Sequence, residues 1–228
     1  IYWSDRNQND QGTIIDFIQR RRRLSLGEVR KELRSWSGGV SLNSIHPILK
    51  SSPNLQSVRA TYDTFNLIQE HPYLINERSI PLSTLNCPKF THRIKIDSHH
   101  NAIFPHFSNG QICGYEIKNS NFTGFALGGK RGLWCSVWNQ SDTLIITESA
   151  IDALSFHALH DASGFFYVSL GGQLGKENLS LIQRIAQHQP IRIVIATDND
   201  PSGEEYYHQI DRALEDFKNN GGNVTRIT

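Results

Sequence analysis

The sequence of 228 residues contains no methionine. A natural reading frame starts with one, so we expect an excised fragment or a processed product. Its three cysteines, Cys87, Cys113 and Cys135, are odd in number and widely spaced, which excludes a disulfide framework or a zinc knuckle and is typical of a reducing cytoplasm. No apolar run approaches the roughly 20 residues needed to cross a bilayer, and no signal peptide is recognisable. We therefore expect a cytoplasmic protein with no membrane partner.

Excess charge of one sign is also missing, because the net charge is only +1 at pH 7. Any contact with nucleic acid must therefore come from local clusters of basic residues. One cluster is the run Arg20 to Arg23, which suits a solvated helix end or, alternatively, a phosphate contact; the solvated end is favoured. A second is Lys130 and Arg131 in a loop flanked by glycines, which lacks the spacing of a phosphate-binding P-loop.

Two short apolar runs that end in carboxylates are the most informative feature of the chain. Thr143–Thr147 is followed by Glu148, and Ile193–Thr197 is followed by Asp198 and, two residues later, Asp200. Such runs predict buried parallel strands, whose carboxyl ends meet at one edge of the sheet. Three carboxylates gathered there repel one another unless a cation lies between them. Oxygen ligands without nearby Cys or His favour Mg²⁺ or Mn²⁺.

The region around these runs alternates between strand and helix patterns, which predicts a parallel sheet with right-handed crossovers. The predicted strands are 143–147, 164–170, 191–197 and 223–227, and the predicted helices are 149–160, 176–188 and 201–219.

The upstream region has a different texture. Short apolar segments separated by turns over 93–137 predict an antiparallel β-meander, and residues 37–60, rich in Ser, Gly, Asn and Pro, predict a linker. Short helices are expected over 61–69 and 71–80 and near Pro81. Nearer the start, Thr13 and Ser25 are predicted to begin helices, the second with a capping box formed by Ser25 and Glu28.

For each acidic residue, a purely structural role as a helix cap must be weighed against a functional role. Asp200 precedes a proline and suits a helix N-cap, and Asp152 suits the positive end of the helix that Ser149 can cap. Glu148 and Asp198 are harder to explain in this way, because a better capping residue follows each of them. Glu148 and Asp152 are four residues apart across a helix start, so both can face the same edge.

An apolar strand ending in Glu148, followed some 50 residues later by one ending in Asp198-Asn-Asp200, resembles the Toprim domain of primases, type IA and II topoisomerases, OLD-family nucleases and recombination-repair proteins. The resemblance covers residues 143–228. It implies that Glu148 is a general acid/base and that Asp198 and Asp200 bind metal, with Glu148 as a further ligand. Gly203 matches the family's glycine, and the spacing of Glu148 and Asp152 is similar to the primase branch. Ser149 departs from the pattern, in which glycine is usual.

The segments Tyr73–Ile80, Ala102–Phe107 and Gly114–Lys118 resemble the amino-terminal half of a bacterial primase catalytic core. They are most similar to the primase-like Toprim proteins of plasmids and integrative elements. The resemblance implies that Lys118, Lys130 and Arg131, with Asp152, bind nucleotide or nucleic acid. Residues 1–36 resemble the tail of a zinc-ribbon domain whose zinc ligands are absent here.

We therefore predict an α/β protein with three parts. Residues 1–40 form an N-terminal helical segment, residues 41–140 a primase-like α+β subdomain with a short antiparallel sheet, and residues 141–228 a Toprim domain with a four-stranded parallel sheet flanked by helices. Because primase-type Toprim domains carry a further acidic cluster after the fourth strand, we expect this domain to be truncated at its C-terminus.

The resemblance implies a DNA-primase-like nucleotidyltransferase that uses Mg²⁺ or Mn²⁺, a single-stranded DNA template and nucleoside triphosphates. A role in plasmid or mobile-element replication or transfer is implied with it, with a helicase or relaxase as a further partner. Two alternatives stay open: a metal-dependent Toprim nuclease that nicks DNA, and a non-catalytic DNA-binding module. The clustered carboxylates argue mildly against the last, because they are destabilising where no cation is needed.

Overall fold

The structure is a computed structural model that describes residues 2–4, 11–25, 28–29, 32–33, 53–138, 141–160, 164–188 and 192–227. The chain divides into two compact units, residues 1–50 and residues 51–228.

The first unit contains a small antiparallel pair and a helix. Strand β1 (Tyr2–Ser4) pairs with β2 (Gln11–Thr13), and helix α1 (Ile14–Arg22) follows directly. The predicted capping box is confirmed, because the Ser25 N–H donates to Glu28 Oε2 at 2.8 Å and the Glu28 N–H donates to Ser25 Oγ at 3.4 Å. The arginine run is exposed, and Arg22 forms an ion pair with Glu32. These contacts agree with the solvated helix end favoured from the sequence.

The second unit begins with helix α2 (Leu55–Asp63), which lies partly in the predicted linker. The prediction of a linker is therefore wrong for residues 53–60, and residues 34–52 lie outside the described residues. The predicted helix over 61–69 is also wrong beyond Asp63. Asn54 starts α2 by accepting the Ser57 N–H at 3.0 Å, and Val58 and Tyr62 form its buried face.

An antiparallel sheet of five strands follows, in the order β3-β4-β5-β6-β7. Its strands are β3 (Asn66–Leu67), β4 (Lys95–Ile96), β5 (Ala102–Ser108), β6 (Gln111–Asn119) and β7 (Phe122–Phe125). The predicted meander is confirmed. Between β3 and β4 lie a π-helical turn (Tyr73–Glu77), helix α3 (Leu82–Leu85) and a 3₁₀ turn (Pro88–Phe90). The helix predicted over 71–80 is thus shorter and more loosely wound.

The C-terminal sheet has the order β12-β11-β9-β10-β8. Strands β9 (Thr143–Thr147), β10 (Phe165–Ser169), β11 (Arg192–Ala196) and β12 (Asn223–Arg226) are parallel, as predicted, and β8 (Trp134–Cys135) adds an antiparallel edge. The intervening helices are α4 (Ala150–His160), α5 (Lys176–His188), α6 (Pro201–Ala213) and α7 (Glu215–Asn219). The single helix predicted over 201–219 is therefore interrupted, at the buried Leu214.

Both faces of the C-terminal sheet are buried. Consecutive side chains of a strand point to opposite faces, and in β9 consecutive side chains lie in two different hydrophobic clusters. Leu144 and Ile146 belong to one hydrophobic cluster, whereas Ile145 belongs to another. The cluster around Ile145 also contains Phe90 and Trp134, whose stacked rings are 6.0 Å apart. This cluster joins the meander region to the C-terminal sheet. Within the described part of the chain, every helix is too short or too polar to cross a membrane.

Candidate active site

The two acidic segments meet at one edge of the C-terminal sheet. Strands β9 and β11 are parallel neighbours, with Thr147 opposite Ala196, so the residues that follow both strands leave the sheet side by side. The Asp198 N–H donates to Glu148 Oε1 at 2.9 Å. The convergence predicted from the sequence is therefore confirmed.

The electrostatics of this edge are those of crowded carboxylates. Burial raises the pKa of Glu148, and the charges of Asp198, Asp200 and Asp152 add to the effect. The pKa of Asp198 is raised by partial desolvation of its carboxyl and by the charges of Asp152 and Asp200. Among the described residues, no basic side chain forms an ion pair with Glu148 or Asp198. A cation at this edge would relieve the mutual repulsion.

Asp200 and Asp152 both stabilise the start of a helix, which is the structural role considered for each from the sequence. Asp200 Oδ1 accepts the Gly203 N–H at 2.7 Å at the start of α6. Asp152 Oδ2 accepts the Ser149 N–H at 2.8 Å, and Ser149 Oγ accepts the Asp152 N–H at 3.3 Å, which forms a capping box at the start of α4. Each cap uses one carboxylate oxygen, so the second remains able to bind another group.

Gly203 is required by the close packing of the turn that carries the two aspartates. A Cβ at this position would lie only 2.0 Å from the Asp198 carbonyl oxygen. Thr197 Oγ1 donates to the Gly203 carbonyl at 2.9 Å and fixes the turn from its other side. The first turn of α6 therefore folds directly over the backbone of Asp198, which only glycine permits.

Sequence reasoning missed a glycine turn that completes this edge. After β10, Gly171 and Gly172 have φ of 68° and 71°, in the left-handed region that favours glycine. The Gly172 N–H donates to the Glu148 carbonyl at 2.8 Å, and Ser169 Oγ donates to the same oxygen at 3.2 Å. The backbone of Glu148 is thus held from the side of β10 while its carboxylate contacts Asp198. The Gly-Gly pair at the end of an apolar run was the available signal.

A buried charged network packs against this glycine turn. His106 Nε2 donates to Glu116 Oε1 at 2.9 Å, and Lys118 Nζ donates to Glu116 Oε2 at 2.9 Å. Burial acts to raise the pKa of Glu116, but the hydrogen bond from His106 and the charge of Lys118 outweigh it and lower the pKa to about 2. A Cβ on Gly171 would lie 2.6 Å from Glu116 Oε1. Lys118, predicted to bind nucleotide, is therefore held by Glu116 and is only 12% exposed.

The other predicted basic residues lie on the surface beside the same turn. Lys130 and Arg131 are exposed, and Arg131 Nη1 donates to the Gly171 carbonyl at 2.9 Å. Together with Lys176, the first residue of α5, they line a shallow cavity of about 340 Å³. Glu177 contributes one carboxylate to the same lining, so the three basic residues leave it with a net positive charge. Lys176 was not predicted, although its place at a helix start just after a buried strand was visible in the sequence. The cavity is suited to phosphate groups.

The carboxylate oxygens at the acidic edge are the type of ligand that a hard cation such as Mg²⁺ prefers. In the described ranges, no group of three or more His, Cys, Asp or Glu side chains is arranged to hold a metal ion. Mg²⁺ does not need such a cage, because it commonly binds one or two carboxylates and takes its remaining ligands from water and substrate phosphates. Glu148 and Asp198 supply two carboxylates of this kind.

Comparison with known protein families gives two matches that together span most of the second unit. Residues 72–142 match a family described as a protein of unknown function (DUF3991). Residues 145–226 match the family described as Toprim-like. No curated protein matches the chain.

Several solved structures are similar to this chain. The primase fragment of the bacteriophage T7 primase-helicase protein is 17% identical with a TM-score of 0.47, and the match covers 72% of this chain and 70% of that chain. The T7 lagging-strand DNA polymerase structure with two primase domains, bound to an RNA/DNA hybrid and dTTP, matches with the same identity of 17% and TM-score of 0.47, over 72% of this chain and 79% of that chain. A DNA primase domain from Pseudomonas aeruginosa is 11% identical, with a TM-score of 0.43 and coverage of 76% and 70%.

The family match over residues 145–226 coincides with the parallel sheet, and both acidic segments lie within it. Residues 145–226 are therefore a Toprim-like domain, which follows a DUF3991 region at residues 72–142.

Proposed function

We propose that the protein is a primase-type nucleotidyltransferase that uses a divalent cation to copy a single-stranded DNA template with nucleoside triphosphates. The observation that carries this proposal is the 2.9 Å contact between Glu148 Oε1 and the Asp198 N–H at the carboxyl ends of adjacent parallel strands. The raised pKa values of both carboxyls support it, because acidic groups that repel one another at a sheet edge are typical of a site for a cation and its ligand.

Asp198 and Glu148 would hold Mg²⁺ or Mn²⁺, with the second oxygen of Asp200 as a further ligand. When bound, the ion would supply charge stabilisation for the phosphate groups during phosphoryl transfer. Glu148 is proposed to act as the general acid/base, since its raised pKa favours proton exchange nearer to neutral pH. Asp152 and Ser149 position Glu148 by fixing the start of α4.

The basic residues next to the glycine turn are proposed to hold the DNA strand or the triphosphate. Lys130, Arg131 and Lys176 line one cavity and present cations to solvent. Arg131 is oriented by its bond to the Gly171 carbonyl, so its contact with phosphate would be coupled to the turn that supports Glu148. Lys118 donates one of its hydrogens to Glu116 and retains others for a phosphate oxygen.

The biological setting is proposed to be replication or transfer of a plasmid or other mobile element, with a helicase or relaxase as partner. The support is the similarity of the segments Tyr73–Ile80 and Gly114–Lys118 to primase-like proteins of such elements. Co-purification of the protein with the helicase or relaxase encoded by the same element is the corresponding measurement.

The test of activity is ribonucleotide incorporation on a single-stranded DNA template in the presence of Mg²⁺. Glu148→Gln and Asp198→Asn are each expected to reduce the rate by about 10²–10³-fold, because each removes charge from the reacting centre. Glu205→Gln, an exposed acidic residue of α6, is the matched control and is expected to leave the rate unchanged.

Incorporation that survives both substitutions would contradict the proposal. Plasmid DNA in Mg²⁺ without nucleotides provides the second arm of the experiment. Nicking that depends on Asp198, without any incorporation, would favour the Toprim nuclease instead.

A further inference from the structure

A second cavity, of about 490 Å³, lies away from the acidic edge. Its walls come from β8, from the second half of α5, from the turn between β5 and β6, and from Phe166 near the amino-terminal end of β10. The acidic residues instead follow the carboxyl ends of β9 and β11, and none of them lines this cavity. The proposed nucleotidyl transfer therefore makes no use of it.

Aromatic side chains form much of its surface. Trp138 is 40% exposed, and its ring meets the ring of Phe166 edge to face with the centroids 4.9 Å apart. Phe107 contributes a third ring, and Leu133 and Ile185 are apolar neighbours. An exposed tryptophan beside further rings is suited to a flat aromatic ligand.

Arg93 also lines the cavity with its charged guanidinium. Its guanidinium lies 4.5 Å from the centre of the Phe107 ring. The Nε atom is buried without a hydrogen-bond partner, and among the described residues no carboxylate forms an ion pair with Arg93. A half-buried cation without a partner is costly, and an anion entering the cavity would remove that cost.

Arg184 provides a second guanidinium to the lining of the cavity. It is exposed on α5, and its Nη1 donates to Asn109 Oδ1 at 2.5 Å. Every charged side chain that lines the cavity is an arginine, so the local field favours an anion. A guanidinium is well matched to a phosphate group, because it can donate two parallel hydrogen bonds.

We infer that this cavity binds a free nucleoside phosphate, with the base against Trp138 and Phe166 and the phosphate on Arg93 and Arg184. The volume is in the range of small-ligand pockets. A free nucleotide is favoured over a bound strand because two cations can hold one phosphate group, whereas a strand needs a basic groove that follows its backbone. The site is independent of the proposed catalytic edge and needs no metal.

The test is a calorimetric titration of the whole protein with adenosine 5′-monophosphate in EDTA, which removes any contribution from divalent cations. Arg184→Ala and Trp138→Ala are each expected to weaken binding at least about tenfold, because each removes a charged or a stacking contact. Trp138→Phe, which keeps an aromatic ring, should restore most of the affinity. Arg212→Ala, an exposed arginine at the end of α6, is the matched control and should bind as the unsubstituted protein does.

Four results would overturn the inference. Saturation that is absent at millimolar nucleotide would exclude the site. Binding that is lost in Asp198→Asn but not in Arg184→Ala would place the nucleotide at the acidic edge. Inorganic phosphate binding as tightly as the nucleotide, or oligothymidylate binding where the mononucleotide does not, would show that a free base with its phosphate is not what the cavity recognises.

Discussion

Glu116 is the residue on which the buried charges beneath the glycine turn depend. It accepts hydrogen bonds from both His106 and Lys118, and its side chain is only 4% exposed. Glu116→Gln removes the one anion and leaves the ammonium of Lys118 without its counter-ion. Because breaking a buried ion pair leaves an uncompensated charge, we expect the free energy of unfolding at pH 7 to fall by about 3 kcal/mol, measured by urea denaturation.

The same carboxylate predicts a pH dependence of stability. The pKa of Glu116 is lowered from its ordinary 4.5 to about 2 in the folded chain. A lowered pKa contributes stability that is present above pH 4.5 and is lost as the pH falls towards 2. The difference between the unsubstituted protein and Glu116→Gln should therefore shrink over that window. The exposed Glu205→Gln is the control, and a difference that stays constant with pH would contradict the assignment.

For Asp198 and Glu148 we expect a pH dependence of stability of the opposite sign. Their pKa values are raised, so the stability they contribute is present below their ordinary pKa and is lost as the pH rises. Asp198→Asn removes part of this repulsion while keeping the backbone N–H that contacts Glu148. We therefore expect the metal-free variant to melt slightly above the unsubstituted protein at pH 7.

Added Mg²⁺ should raise the Tm of the unsubstituted protein, because an ion that binds only the folded state stabilises it. It should raise the Tm of Asp198→Asn much less, whereas Asp216→Asn, an exposed acidic residue of α7, should respond as the unsubstituted protein does. Thermal melts in EDTA and in Mg²⁺ provide the measurement. An equal shift in Asp198→Asn would place the ion elsewhere.

At the scale of secondary-structure elements, the start of α6 combines two roles in Asp200. Its side chain caps the helix through the Gly203 N–H, and Pro201 occupies the first helical position. Asp200→Ala is expected to cost about 1 kcal/mol of stability through loss of the cap. Asp200→Asn should cost little, because asparagine is an equally good N-cap. Chemical denaturation of the two variants measures this difference.

The same pair of variants separates capping from metal binding. If Asp200 binds the ion, ribonucleotide incorporation should fall in Asp200→Asn even though the helix remains capped. Full activity in Asp200→Asn with reduced stability in Asp200→Ala would mean that Asp200 is only a cap.

The elements that the sequence predicted best are those with a strong local signal. Strands β9 and β11 each have a continuous apolar centre, Leu144–Ile146 and Ile193–Ala196, so their positions and the acidic residues that follow them could be predicted. Helix α2 was missed because only Val58 and Tyr62 are buried on it, and the polar residues around them resemble a linker. Strands β3 and β8 are two residues long, and only their partners in the sheet define them.

In the candidate site, too, only the features with a local signal in the sequence could be predicted. Convergence of Glu148 and Asp198 follows from the rule that parallel strands end at one edge. The pairing of Lys118 with Glu116 and His106 depends instead on strand register, which places Gly114 opposite His106 in β5 and β6. The Asn109-Gly110 turn sets Ser108 opposite Gln111, but an irregularity between His106 and Phe107 then shifts the register, and no local pattern predicts that shift. The buried network was therefore not predicted.

At the scale of the second unit, the meander region and the Toprim sheet share a core. Trp134 is fully buried in that core, and its strand β8 pairs with β10, although it precedes the predicted domain boundary at 140/141. Phe90 stacks on Trp134, and Lys89 Nζ donates to the Phe165 carbonyl at 2.6 Å. The sequence-based division into 41–140 and 141–228 stays a prediction, but these contacts cross it.

A truncation tests whether the Toprim sheet can fold without the preceding region. Residues 141–228 alone lack β8, so β10 would become an exposed sheet edge, and Tyr167 would lose its contacts with Phe90. We expect this fragment to aggregate or to unfold without a cooperative transition. Residues 53–228 retain β8 and the shared core and should unfold in a single urea transition, followed by near-ultraviolet circular dichroism and by tryptophan fluorescence. Cooperative unfolding of 141–228 alone would mean that the shared core is dispensable for the parallel sheet.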